Sequence, residues 1–234
     1  MKKSKIMTIL MLLLVIPATL ILGSRLPGRS YYFVSTLVII EVLVPFVLAF
    51  EGRKPQAREL VVIAVMSALA VAARVAIPIP AFKAIFAMVM IAGIALGPES
   101  GFLVGAIGAL GSNFFYGQGP YTPWQMVAYG IAGYLAGLAF EKGLLKRNPI
   151  HLAVFGFGCV LCIIGPLLDT CSVFLMAGDM SREYIAAIYA SGLPVNVTQS
   201  VSTALVMLLL AKPMLEKLDR VKQKFAIGED EDGL

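Results

Sequence analysis

Between residues 112 and 125 the chain reads Ser112-Asn113-Phe114-Phe115-Tyr116-Gly117-Gln118-Gly119-Pro120-Tyr121-Thr122-Pro123-Trp124-Gln125. Rings, amides and turn-forming residues are crowded into one short stretch. Proline fixes φ and glycine permits tight bends, so the loop is expected to be ordered. The rings offer stacking surface, and Asn113, Gln118 and Gln125 offer donors and acceptors. A mostly apolar pocket with a few placed polar groups is the chemistry of small-molecule capture. An aromatic belt at a membrane interface explains Trp124 and the tyrosines. It does not ask for the amides. Tyr116, Tyr121 and Trp124 therefore stand with Asn113, Gln118 and Gln125 as candidate ligand-binding residues.

Other polar residues lie where they are expensive. Ionisable groups inside apolar runs invite a functional reading. Asp169 follows Gly165-Pro166, where a kink is expected, and needs a partner: Arg74, Lys83 or a ligand. Arg74 either serves such a site or snorkels to headgroups. Glu41 lies mid-run, facing the interior or a partner subunit. The last apolar run opens with Asn196, Thr198, Gln199, Ser200 and Ser202, and Asn196 and Gln199 are taken as cavity-lining candidates. Asn196-Val197-Thr198 matches a glycosylation sequon, but the start of an apolar run is a poor place for modification. The stretch 177–194, with Asp179, Arg182, Glu183, Tyr184 and Tyr189, reads either as a short amphipathic lid or as a solvated connection.

Catalytic signatures are missing: there is no P-loop, no H-E-x-x-H and no G-x-S-x-G. The chain is not expected to be an enzyme, and ATP-driven transport through it needs a separate ATPase. Cys159 and Cys162 form a C-x-x-C, but inside an apolar run they read as small apolar side chains. The single histidine, His151, opens a run beside a basic break and reads as interfacial. A metal site needs several ligands, so no metal is expected, and no cofactor either.

These residues must be held by membrane-spanning helices. The 234 residues are 59% hydrophobic and 14% charged, far from the roughly one-quarter charged fraction of soluble domains. Eight apolar runs are predicted to span: 6–23, 32–50, 60–77, 82–97, 100–115, 125–141, 151–176 and 195–211. The fourth is short and is expected to run obliquely. In lipid each must be an α-helix, because backbone groups cannot go unpaired there.

Charge sorts with this threading. With the N-terminus inside, fourteen Lys and Arg fall in cytoplasmic segments: Lys2, Lys3, Lys5, Arg53, Lys54, Arg58, Lys142, Lys146, Arg147, Lys212, Lys217, Arg220, Lys222 and Lys224. Four (Arg25, Arg29, Lys83 and Arg182) fall outside, and Arg74 lies within a span. That bias places both termini in the cytoplasm and the ring-rich loop outside. The net charge of +5 is thus spent on topology and lipid contact, and nucleic acid is not an expected partner. The first run also resembles a secretory signal, but Pro17 interrupts it and no A-x-A-like site follows, so an uncleaved anchor is expected. The acidic end from Gly228 to Leu234 reads as disordered.

Helices in lipid associate through small residues. Ala64, Ala68, Ala72 and Ala76 recur every four positions and so share a face. Gly101, Gly105, Gly108 and Ala109 form a second narrow row, and Gly130, Gly133 and Gly137 a third. The glycine rows read as internal packing. For the longer alanine row, docking to another protein competes with that reading.

In order along the chain, Arg58-Glu59-Leu60 with its alanine row, Ile91-Ala92-Gly93-Ile94-Ala95-Leu96-Gly97-Pro98-Glu99-Ser100-Gly101 and the 112–125 loop resemble the S components of energy-coupling factor (ECF) transporters, the bacterial vitamin importers. The resemblance covers residues 58 to about 212. It implies an all-α integral membrane protein with a six-helix S-component-like core over 58–212. Two extra N-terminal transmembrane helices over 1–57 precede it, and a cytoplasmic tail over 213–234 follows. It implies a substrate-capture subunit in the bacterial cell membrane, holding a vitamin-like ligand between core helices and the outer loops 77–83, 112–125 and 177–194. Arg74, Lys83 and Asp169 would then join the loop residues. It further implies delivery inward with a transmembrane T component, docked at Ala64, Ala68 and Ala72, and two ATPase subunits. Aromatic loops suit a ring-bearing vitamin, and Arg74 with Lys83 suits a carboxylate or phosphate; cobalamin or a precursor is the ligand expected. Other classes remain: a stand-alone secondary carrier or small channel, for which no inverted repeat is visible, and a scaffold, which would bind nothing.

Overall fold

A computed structural model describes residues 55–77, 79–141, 143, 145–176 and 181–225, together with Ala18 and scattered positions between 37 and 52. The expectations for the run 6–23 and for the acidic end fall outside these residues, apart from Ala18. Among the described residues every regular element is helical: α1 (Ala57–Val75), α2 (Ile85–Leu96), α3 (Pro98–Tyr116), α4 (Tyr121–Glu141), α5 (Pro149–Cys159), α6 (Gly165–Met176), α7 (Arg182–Val206) and α8 (Lys212–Phe225).

The core is built around α2. Its sequence is apolar on every side and each of its residues is buried, as expected of a helix surrounded by others. Its 12 residues rise about 18 Å, well short of a roughly 30 Å hydrocarbon layer. Helices α1, α3, α4, α7 and α8 all pack against it.

The glycine rows explain how α2, α3 and α4 come so close. A Cβ on Gly133 would run into the backbone of Gly101, and one on Gly105 into that of Tyr129. A Cβ on Gly101 would lie 2.5 Å from the Cα of Gly93, and one on Gly137 2.6 Å from the Cα of Pro98. These helices touch backbone to backbone, and only glycine permits it. Gly97 (φ 99°) makes the sharp corner from α2 into α3, with Pro98 at the first helical position, where its missing N–H costs nothing.

A π-helical turn lies at the position of the expected kink, and a second lies before Pro213. Val160–Ile164 joins α5 to α6, and Met207–Ala211 joins α7 to α8. Each precedes a proline, Pro166 and Pro213. A helical proline crowds the carbonyl four residues back, here Cys162 and Leu209, and widening that turn relieves the clash. The helix therefore continues through both prolines. Two of the resulting helical runs, Pro149–Leu175 and Arg182–Phe225, are long and apolar enough to cross a bilayer.

Two stretches depart from the sequence expectation. The connection 177–194 is helical from Arg182 onward, with Pro194 inside α7, so the last helix begins 13 residues before the predicted span at 195. Ser181 caps it by accepting from the Tyr184 N–H. The polar stretch from Lys212 is an amphipathic helix, whose Leu215 is buried and whose Lys222 donates to the Ala95 carbonyl (2.8 Å). Before residue 55, Glu41 is helical and half-buried. Phe50 belongs to the main core, and Leu43 packs on the cluster around Trp124.

Candidate functional site

The ring-rich stretch is where α3 ends and α4 begins. Gly117 (φ 98°) terminates α3 in a conformation that favours glycine, and Tyr121 opens α4. Polar side chains close the turn on itself. Thr122 Oγ1 accepts from the Gly119 N–H (3.1 Å) and donates to Gln118 Oε1 (2.9 Å). Gln118 Nε2 donates to the Leu110 carbonyl (3.1 Å), and the Tyr121 hydroxyl to that of Gly117 (2.7 Å). Four residues apart, Gln118 and Thr122 tie the turn to the first turn of α4.

Asn113 joins this turn to α1. Its amide donates to Gln125 Oε1 (2.8 Å) and Thr122 Oγ1 (3.2 Å), while its oxygen accepts from Arg74 Nη1 (2.9 Å). Arg74 also donates to Ser112 Oγ. Its guanidinium lies 4.9 Å from the Tyr116 ring centroid and 5.4 Å from that of Tyr129, within cation–π range. The Tyr116 hydroxyl returns a bond to the Arg74 carbonyl (3.0 Å). Arg74 is thus neither snorkelled to solvent nor paired with an acid. It is the charged hub of a cluster of uncharged hydrogen-bonding and aromatic partners. Asn113, fully buried, thus makes three hydrogen bonds within the protein that brace the turn.

Lys83 links this cluster to α7. Its ammonium donates to the Ile77 carbonyl (2.7 Å) and lies 5.6 Å from the Tyr116 ring. Its carbonyl accepts from Ser202 Oγ (2.8 Å). Gln199 and Asn196 follow at three-residue steps back along α7, so they lie on the Ser202 side of that helix. Asn196 Nδ2 donates to Asp169 Oδ2 (2.7 Å). The expected pairing of Asp169 with Arg74 or Lys83 is therefore wrong within the protein: both cations have other acceptors, and an amide across the α6–α7 contact meets the carboxylate instead. Gly192 makes room for that carboxylate, because a Cβ there would overlap it.

Trp124 belongs to a second apolar cluster. It is buried among Val127, Cys171 and Leu167 and stacks on Phe174 at 5.9 Å and 25°. The indole Nε1 and the Gln199 Oε1 are buried without a hydrogen-bond partner among the described residues. Phe114 and Phe115 point outward, 77% and 68% exposed, so the belt reading fits these two rings and not Trp124. Three participants escaped the sequence reading: Ser112, Thr122 and Tyr129. Thr122 sat inside the quoted motif without a role. Tyr129 lies one helical turn beyond Gln125, a spacing that puts it on the same face.

On α1 the alanine row faces away from all of this. Ala64, Ala68 and Ala72 are exposed, while Ile63, Met66, Ser67 and Ala70 are buried. Residues 54–216 match the family model described as "ECF-type riboflavin transporter, S component". The chain belongs to that family. No curated protein and no solved structure matches it. The S component is the substrate-binding subunit of a membrane-embedded vitamin transporter and not an enzyme, and its family works with T and ATPase partners.

Proposed function

We propose that this S component captures riboflavin at the end of the bundle formed by the 112–125 turn, the 77–84 turn and the facing residues of α7. It passes the vitamin inward with a T component and two ATPases. The cobalamin expectation finds no support in the family match, whose description names riboflavin. The observation that carries the reading is the folding of the ring-rich turn onto Arg74, at the end of α1 opposite Arg58. Riboflavin is an uncharged fused aromatic ring with a carbonyl- and N–H-bearing edge and a polyol chain. A neutral ligand needs no ion pair, consistent with Arg74 and Lys83 both being bonded within the protein. The unpartnered Trp124 N–H and Gln199 carbonyl are a donor and an acceptor of the kind the flavin edge complements. In this reading both termini are cytoplasmic, the turn faces outward, and Ala64, Ala68 and Ala72 meet the T component.

Quenching of riboflavin fluorescence by the full chain in mild detergent tests the assignment. Saturable binding of one riboflavin per chain is expected. Trp124→Phe keeps the stack and removes the donor, and is expected to weaken binding about tenfold, the equivalent of ~1.4 kcal/mol. Absence of saturable quenching would reject riboflavin; unchanged affinity in Trp124→Phe would remove the indole from the site.

A further inference from the structure

At the end of the bundle opposite the 112–125 turn, three basic segments converge. Arg58 Nη1 donates to the Phe225 carbonyl (3.1 Å), Arg147 bridges to Asp219 (3.4 Å), and Arg147 and Lys222 donate to the Ile94 and Ala95 carbonyls at the end of α2. Helix α8 packs on α2 and leaves a groove of about 480 Å³ between itself and α1. The α1 wall is Val61, Val65 and Leu69, and the α8 wall includes Leu218 and Val221. Among the described residues, the charged ones lining it are Arg58 and Lys217, both cationic. Lys212, Arg220 and Lys224 add positive charge along α8, outweighing the exposed Glu216 beside Lys217. Glu59, the acid nearest in sequence to Arg58, is buried and accepts from Ser100, and Asp219 is engaged by Arg147.

We propose that this groove binds an anionic phospholipid, one acyl chain lying between α1 and α8 and the phosphate held by Arg58 and Lys217. The lining and the charge select this occupant. From Val61 to Leu69 the groove runs about 12 Å along α1, walled by aliphatic side chains and open to the surroundings, so that a hydrocarbon chain can lie in it. A cationic rim over an apolar channel, beside an amphipathic basic helix, is the arrangement that attracts anionic lipid at a membrane face. A zwitterionic lipid would leave the rim uncompensated. The site is remote from the turn at Arg74, and its assignment does not depend on riboflavin being the ligand.

Native mass spectrometry of the full chain, supplied with phosphatidylglycerol or phosphatidylcholine of identical acyl chains, tests the proposal. Retention of phosphatidylglycerol at least tenfold above phosphatidylcholine is expected. Arg58→Gln combined with Lys217→Gln should reduce it to the phosphatidylcholine level, and Val65→Trp, which plugs the groove, should abolish it. Melting temperature and monodispersity report whether each variant is folded, and the headgroup comparison needs no variant. Equal retention of both lipids overturns the proposal. So does retention of phosphatidylglycerol undiminished in a folded double variant or in folded Val65→Trp. In the assembled transporter, a Val65→Cys crosslink to the T component with no bound lipid gives the groove to protein instead, and equally overturns it.

Discussion

Asp169 shows how a side chain's role depends on its neighbour more than on its type. A carboxylate beside a proline in an apolar helix looks like half of an ion pair. Its partner is the Asn196 amide, and Gly192 is small so that the carboxylate can reach it. Asp169→Ala would leave a buried amide without its acceptor, a loss of about 1–3 kcal/mol. A lowered melting temperature in detergent is expected, with Arg74 and Lys83 undisturbed; an unchanged melt would show that the bond contributes nothing. Arg74 makes the same point from the cationic side. Its position in an apolar run marked it as important, but Ser112, Asn113 and two tyrosine rings define what it does, and nothing in residue 74 itself announces them.

Among the helices, glycine decides which pairs approach and alanine which face is left free. The α2–α3–α4 contact has no side chains at its closest points, so it cannot yield to added volume. Gly133→Leu is expected to destabilise the bundle well beyond the ~1–3 kcal/mol typical of overpacking, because the new atoms meet the Gly101 backbone and not a movable side chain. Size-exclusion chromatography would show loss of the monodisperse species; a well-behaved, normally melting variant would refute backbone contact there. The π turns before Pro166 and Pro213 belong to the same scale. The sequence signalled a local defect at Gly165-Pro166, and the helix absorbed it by widening one turn.

Across the molecule, one end gathers the rings and amides and the other gathers the basic segments. Arg58 and Arg74, at opposite ends of α1, each contact one of these assemblies. That polarity is what a subunit needs to take a solute on one side and meet partners from the other. Ala68→Trp adds bulk to the exposed alanine face without touching the 112–125 turn. It is expected to abolish co-purification with the T component and leave riboflavin titration unchanged; retained assembly would move the docking face elsewhere. Gln118 is exposed, so Gln118→Cys in intact cells should react with a membrane-impermeant maleimide. Protection from the reagent until the cells are opened would invert the proposed orientation.

Composition, the positions of apolar runs and the order of small-residue motifs were enough to give an all-helical chain, its family and the turn where polar and aromatic groups concentrate. These are properties of one segment at a time, written in hydropathy and local backbone preference. Tertiary structure decided the rest: that Asn113 braces the turn, that Trp124 sits with Phe174, that Asp169 meets Asn196, and that the helix of Pro194 starts at Arg182. Each of these depends on residues distant in sequence becoming neighbours. A buried donor or acceptor takes whichever partner the packing brings within about 3 Å, and that choice is made only when the helices have docked.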